Sequence, residues 1–137
     1  NDEDSEVILI DFQAPFYGSP VTDLLYFIYT GTDGKFRKAH MNNLRDLYHT
    51  ELTKMLEYFD FDINDVYPKK VYEKDFEDSL DFGLMVALYL SPFVFTAENY
   101  FPDFSKDTIE DISYTMDDRY EERITEIVEE YLQWGIL

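Results

Sequence analysis

The chain carries near its start the segment VILIDFQ, residues 7–13. Its first four residues, Val7–Ile10, form a continuous aliphatic run, which is typical of a β-strand buried on both faces. One strand cannot satisfy its backbone hydrogen bonds alone, and the rest of the sequence contains no second convincing strand. We therefore expect the partner strands to lie outside this sequence, which would make the chain a piece of a longer protein.

The sequence after this segment indicates helices. Ser19 followed by Pro20 predicts a helix start, because a hydroxyl caps the first turn and Pro is tolerated at the first helical position. This short helix should end near Thr30. A long helix is then predicted from about Lys35 to Phe59, where apolar residues recur every three or four positions. The predicted buried stripe consists of Met41, Leu44, Leu47, Tyr48, Leu52, Met55, Leu56 and Phe59.

Two further helical regions complete the pattern. One covers roughly Lys69–Phe95, and its second half is apolar on all sides, which predicts burial. Gly83 within it should allow the backbone of another element to approach closely. The last helix is predicted over about Met116–Trp134, with Gly135 as its stop. The predicted fold class is therefore mainly α, in the form of a helical lobe whose single strand belongs to a larger sheet.

Composition limits the class of protein. The 137 residues fit one domain, and 30 acidic against 11 basic residues give a formal net charge of −19. Such a surface repels phosphate backbones and anionic lipids, so we expect neither nucleic acid nor a membrane as a partner. The chain has no cysteine, which excludes disulfides, thiolate nucleophiles and zinc–thiolate sites. A reducing, cytoplasmic setting is compatible with this composition.

Two acidic residues could carry chemistry. Asp11 follows the predicted strand directly, at the end where α/β proteins bind ligands, and its carboxylate could hold a divalent metal. The alternative is that Asp11 only caps the following loop. Asp23 interrupts an apolar stretch near a predicted helix start. It is either an exposed acid favoured by the helix dipole, or a buried acid that accepts backbone N–H groups of a neighbouring loop.

Taken together, Asp11-Phe12-Gln13 and the segment Tyr17–Phe27 resemble the choline kinase-like and aminoglycoside phosphotransferase-like kinases, and most closely their ecdysteroid kinase-like branch. The resemblance extends over most of the chain, including the long helix and the stretch Ile124–Leu137. It implies that Asp11 binds the magnesium ion that bridges the phosphates of ATP. It also implies that Asp23 supports the catalytic loop and is mostly buried beside it.

The family's His-Gly-Asp segment, its metal-binding Asn and its phosphate-binding lobe are not found in this sequence. The resemblance therefore implies that residues 1–137 form a partial kinase-like domain, the C-terminal lobe, without a catalytic base and inactive alone. The complete protein would transfer the γ-phosphoryl group of ATP, with Mg²⁺, to the hydroxyl of a small molecule, an ecdysteroid or another lipophilic alcohol. The alternative from another class is a non-catalytic helical binding or scaffold domain derived from a kinase lobe.

The two histidines show no metal-ligand spacing. His40 is predicted at the boundary of the apolar face of the long helix, and His49 on its polar, exposed side.

Overall fold

The computed structural model describes residues 8, 10, 15–97 and 115–137, and the description below covers these residues alone. The mainly α fold class is confirmed, since the described residues contain six helices and no sheet. An isolated antiparallel bridge joins Thr96 to Met116. The helices are α1 (Val21–Gly31), α2 (Gly34–Tyr58), α3 (Ile63–Val66), α4 (Lys69–Asp78), α5 (Leu80–Val94) and α6 (Arg119–Gln133). No helix within the described ranges combines the length and apolar character needed to cross a membrane.

The predicted strand Val7–Ile10 falls only partly within the described residues. Ile8 and Ile10 belong to no strand, and their exposed fractions are 71% and 80%. Val7 and Leu9 lie outside the described residues. The prediction of a buried strand was therefore wrong for Ile8 and Ile10, because no element among the described residues covers their side chains. For Val7 and Leu9 it stays a prediction.

Local signals placed two helix ends correctly. Pro20 has helical backbone angles, and the Val21 N–H donates to Ser19 Oγ at 3.4 Å, so the start signalled by Ser19 and Pro20 is confirmed. At the end of α6, Gly135 has φ +71°. Its N–H donates to the carbonyl of Leu132, and the N–H of Ile136 donates to the carbonyl of Tyr131, both at 3.1 Å. This is the Schellman motif that a glycine favours.

The region predicted as one helix over Lys69–Phe95 is two helices, α4 and α5, which meet at Ser79. The prediction that its second half is buried on all sides was wrong, since Met85 and Tyr89 are 56% and 70% exposed. The physical reason is that α1, α4 and α6 contact α5 and cover one side of it. That side carries the small or compact residues Gly83, Val86, Ala87 and Ser91.

The core is centred on α1 and not on the predicted stripe of α2. Val21, Leu25 and Ile28 of α1 are fully buried among side chains of α4, α5 and α6. In α2, by contrast, Leu47, Met55 and the neighbouring Phe59 are exposed, so the prediction of a buried stripe was wrong for these positions. The remaining stripe residues of α2 are partly buried, and the buried residues of α2 are Arg37 and His49.

The surroundings of Gly83 are closely packed, but the nearest atoms belong to the side chains of Tyr29 and Tyr131 and not to the backbone that the sequence predicted. A Cβ atom built there would lie 2.8 Å from Tyr131 Oη and 2.8 Å from the ring of Tyr29. We expect Gly83→Ala to lower the free energy of unfolding by about 1–3 kcal/mol, because the added methyl overpacks a closed contact.

Urea unfolding measures this loss, and Gly31→Ala provides the matched control. The nearest atom to a Cβ at position 31 is 3.9 Å away, so that variant should keep or slightly raise stability. If Gly83→Ala is as stable as Gly31→Ala, the two tyrosine rings can move aside and the close contact does not constrain α5.

Candidate functional site

The predicted metal ligand Asp11 lies outside the described residues, together with Phe12 and Gln13. Its role in metal binding therefore stays a prediction. The structure describes the second half of the motif, which begins with the loop 15–20 and continues into α1.

This loop is tied to the helical lobe through Tyr67. The Tyr67 hydroxyl donates to Asp75 Oδ2 at 2.7 Å, and Ser19 Oγ lies 3.4 Å from the same hydroxyl. Because the Tyr67 hydroxyl donates to Asp75, the Ser19 hydroxyl is the donor to Tyr67. Burial and the hydrogen bond to Asp75 raise the pKa of Tyr67 to about 12, so the tyrosine stays neutral and keeps donating near neutral pH. The network fixes the start of α1 against α4.

Asp23 lies on the first turn of α1, where a negative charge is favourable. The prediction that it is mostly buried was wrong, because its side chain is exposed. The reason is the register of α1: Val21, Leu24 and Leu25 fill the buried side of this turn and leave Asp23 on another side. Burial, together with the negative charge of Asp23, raises the pKa of Tyr48 in α2. Support of a catalytic loop by Asp23 stays a prediction.

The two histidines differ in burial from the prediction. His49 is buried, its Nε2 lies 3.0 Å from the carbonyl oxygen of Tyr67, and its ring is 5.1 Å from that of Tyr72. His40 is exposed and packs its ring 4.7 Å from that of Phe36. Both predictions were therefore wrong. Across residues 15–97 and 115–137, no group of three or more acidic or histidine side chains is arranged to hold a metal ion.

Arg37 joins the start of α2 to α6. Its side chain is fully buried, its Nε donates to Glu130 Oε2 at 2.7 Å, and its Nη1 donates to the carbonyl of Thr32 at 2.8 Å. Next to it, the N–H of Gly34 donates to Glu126 Oε2 at 2.9 Å. Sequence reasoning missed this cluster. A signal existed, since Arg37 lies four residues before Met41 and so continues the partly buried stripe of α2.

A comparison with models of known protein families gave a match to the first part of the chain. This part contains the Asp-Phe-Gln motif, α1 and α2. Residues 1–61 match the ecdysteroid kinase-like family. The resemblance inferred from Asp11-Phe12-Gln13 and Tyr17–Phe27 is thereby confirmed for this segment. The match covers 61 of the 137 residues, so the resemblance over residues 62–137 stays a prediction. The comparisons with curated proteins and with solved structures each found no match.

The matched segment, residues 1–61, packs on α5 and α6 through a tyrosine pair. The rings of Tyr29 and Tyr131 lie 5.4 Å apart, and the Tyr131 hydroxyl donates to the carbonyl of Leu80 at 2.5 Å. Burial raises the pKa of Tyr131 to about 12. Burial also raises the pKa of Tyr29 above its ordinary range. Both hydroxyls are therefore held in the protonated form by the folded lobe.

This arrangement predicts loss of stability at alkaline pH. A tyrosine of the unfolded chain loses its proton near pH 10, whereas folded Tyr131 keeps its proton to about pH 12. Its contribution is complete below pH 10 and is lost as the pH rises towards 12. Urea unfolding between pH 8 and 12 should show this decline, and Tyr131→Phe should make it shallower. Tyr17→Phe is the control, since Tyr17 is exposed; an equal effect of the two variants would contradict the prediction.

A cavity of about 690 Å³ lies between α2 and α6, and Arg37 is among the residues that line it. Phe76 of α4, Leu80 of α5 and Trp134 after α6 contribute apolar surface to its wall. Charged side chains of α2 and α6 make up much of the remainder.

Proposed function

We propose that this chain is the C-terminal part of an ATP- and Mg²⁺-dependent small-molecule kinase of the ecdysteroid kinase-like family. The proposal is carried by the family match over residues 1–61, because that segment includes both the Asp-Phe-Gln motif and Asp23. The mainly helical fold of the described residues supports a helical lobe. The reaction proposed is transfer of the γ-phosphoryl group of ATP to a hydroxyl of a small molecule.

Two residues of this chain have proposed roles: Asp11 as a ligand of the magnesium ion, and Asp23 as a support of the catalytic loop. Mg²⁺, when bound, would supply positive charge that stabilises the transferring phosphoryl group. Asp11 is the residue proposed to hold the ion. The exposed carboxylate of Asp23 stands on a helix fixed by a buried core, so it is free to accept N–H groups from a loop of the complete protein. Within the described ranges, no group of acidic or histidine side chains is arranged to hold a magnesium ion.

The acceptor proposed is an ecdysteroid or another lipophilic alcohol, and this rests on the description of the matched family. The alternative is a non-catalytic helical binding or scaffold domain. The observation that favours the alternative is that the sequence has no His-Gly-Asp segment.

Assay of the complete gene product that contains this sequence distinguishes the two functions. The protein is incubated with Mg²⁺, radiolabelled ATP and ecdysone, and the products are separated by chromatography. The kinase proposal predicts a phosphorylated steroid whose formation depends on Mg²⁺. Absence of phosphoryl transfer to ecdysone and to a panel of other lipophilic alcohols would support the binding domain instead.

A further inference from the structure

We propose that the cavity between α2 and α6 binds a small organic anion with an apolar, ring-sized body. This inference is independent of the kinase proposal, because it rests on neither Asp11 nor Asp23. The volume of about 690 Å³ lies within the range of small-molecule pockets in proteins.

The charge distribution around the cavity is the first argument. Four basic side chains in the described part of the chain form no ion pair, namely Lys35, Lys38, Arg45 and Lys70. The first three of them line this cavity. In a chain with a formal charge of −19, cations without acidic partners thus gather at one place. Such a local positive field favours an anionic ligand.

The acidic residues of the opposite wall, Glu126, Glu129 and Glu130, cancel this field only in part. Glu130 is engaged by the buried guanidinium of Arg37. Glu126 accepts from the N–H of Gly34 and pairs with Arg123 at 3.2 Å. Both carboxylates are therefore already compensated by donors of this chain. Glu129 is exposed and forms no ion pair among the described residues, so one uncompensated acid faces the three uncompensated bases Lys35, Lys38 and Arg45. Arg37 also keeps an unused donor, since its buried Nη2 has no hydrogen-bond partner among the described residues.

The uncharged surface defines the body of the ligand. Met41, Phe76, Leu80 and Trp134 line the same cavity, so an apolar group can be buried beside the cations. Arg45 stacks over Phe76, with its guanidinium carbon 4.2 Å from the ring centroid, and so holds its charge at the edge of the apolar surface. A free inorganic ion would leave the apolar wall unfilled, and a neutral ring would leave the cations unpaired.

Binding can be measured with 2-naphthoate, an aromatic carboxylate, on the whole 137-residue chain. Trp134 is the chain's single tryptophan and lines the cavity, so its fluorescence reports occupancy directly. We expect saturable quenching by 2-naphthoate and about tenfold weaker binding of the neutral 2-naphthamide, because the charged group forms charge-assisted hydrogen bonds. Equal affinity of the two probes, or binding of neither, would overturn the proposal.

Lys38→Gln tests whether the anion occupies this cavity. Lys38 is exposed, so its substitution should leave the fold intact, and far-UV circular dichroism verifies this. Affinity for 2-naphthoate should fall five- to tenfold. Lys70→Gln is the matched control, since Lys70 is also an exposed cation without an ion pair and does not line the cavity; it should change affinity less than twofold. Equal losses would mean a general charge effect and would contradict binding of the anion in this cavity.

If Lys38→Gln does not fold, Lys35→Gln replaces it in the same comparison.

Discussion

Asp11→Asn in the complete protein is expected to lower kcat for phosphoryl transfer by at least about 100-fold, with little change in stability. Under the proposed function, the carboxylate is an anionic ligand of the magnesium ion. Asparagine has nearly the same size but no charge, so the metal would be held more weakly and in a poorer position. Steady-state kinetics with ATP and ecdysone over a range of Mg²⁺ concentrations measure the effect.

The matched control for this variant is Asp4→Asn, which changes an acid of the preceding acidic stretch and the net charge by the same amount. Turnover of Asp4→Asn should be near that of the unchanged protein. Normal turnover of Asp11→Asn at ordinary Mg²⁺ would disprove the metal-ligand role. Inactivity of the unchanged protein towards every alcohol tested would instead contradict the kinase proposal itself.

Arg37→Met is expected to lower the free energy of unfolding by about 3–5 kcal/mol, the cost of breaking a buried ion pair by removing one partner. The fully buried guanidinium donates to Glu130 and to the carbonyl of Thr32, and both acceptors lose these hydrogen bonds in the variant. Urea unfolding followed by circular dichroism measures the loss. Lys38→Met is the control, because it removes a neighbouring but exposed cation of the same helix.

Two companion variants identify the cause of that loss. Arg37→Lys keeps the positive charge but not the planar fork of donors, so it should be intermediate in stability. Glu130→Gln introduced into Arg37→Met should cost less than it does in the unchanged chain, since the partner charge is already missing. Additive losses in this double-mutant cycle would show that the ion pair with Glu130 does not cause the loss, which would then come from packing and from the hydrogen bond to the Thr32 carbonyl.

The helix ends that could be predicted are those set by local chemistry. Ser19, Pro20 and Gly135 act on the one turn that contains them, so their effect does not depend on the rest of the fold. Which face of a helix is buried, by contrast, depends on the elements that pack against it. Leu47 and Met55 have the spacing of core residues, yet they are exposed, because no element within the described residues covers that side of α2.

Periodicity alone does not predict that polar residues such as Arg37 and His49 are buried, although Arg37 continues the spacing of the α2 stripe. Arg37 and His49 are polar, so a pattern of apolar positions assigns them to the surface. Their burial depends on Glu130 and on the carbonyl of Tyr67, which are distant in sequence. Asp23 illustrates both cases. Its position on the first turn of α1 could be predicted from Ser19 and Pro20. Its exposure could not, because it depends on which neighbouring elements cover that side of α1.

The link between Arg37 and Glu130 joins residues 93 positions apart, and this separation has a consequence for protein synthesis. A ribosome that adds 5–20 residues per second needs about 5–20 s to pass from one residue to the other. During that time the Arg37 guanidinium has no Glu130 to bind, and the apolar side of α1 is not covered by α6. The nascent lobe therefore spends several seconds as an incomplete helical intermediate, the period in which a chaperone or premature association has access to it.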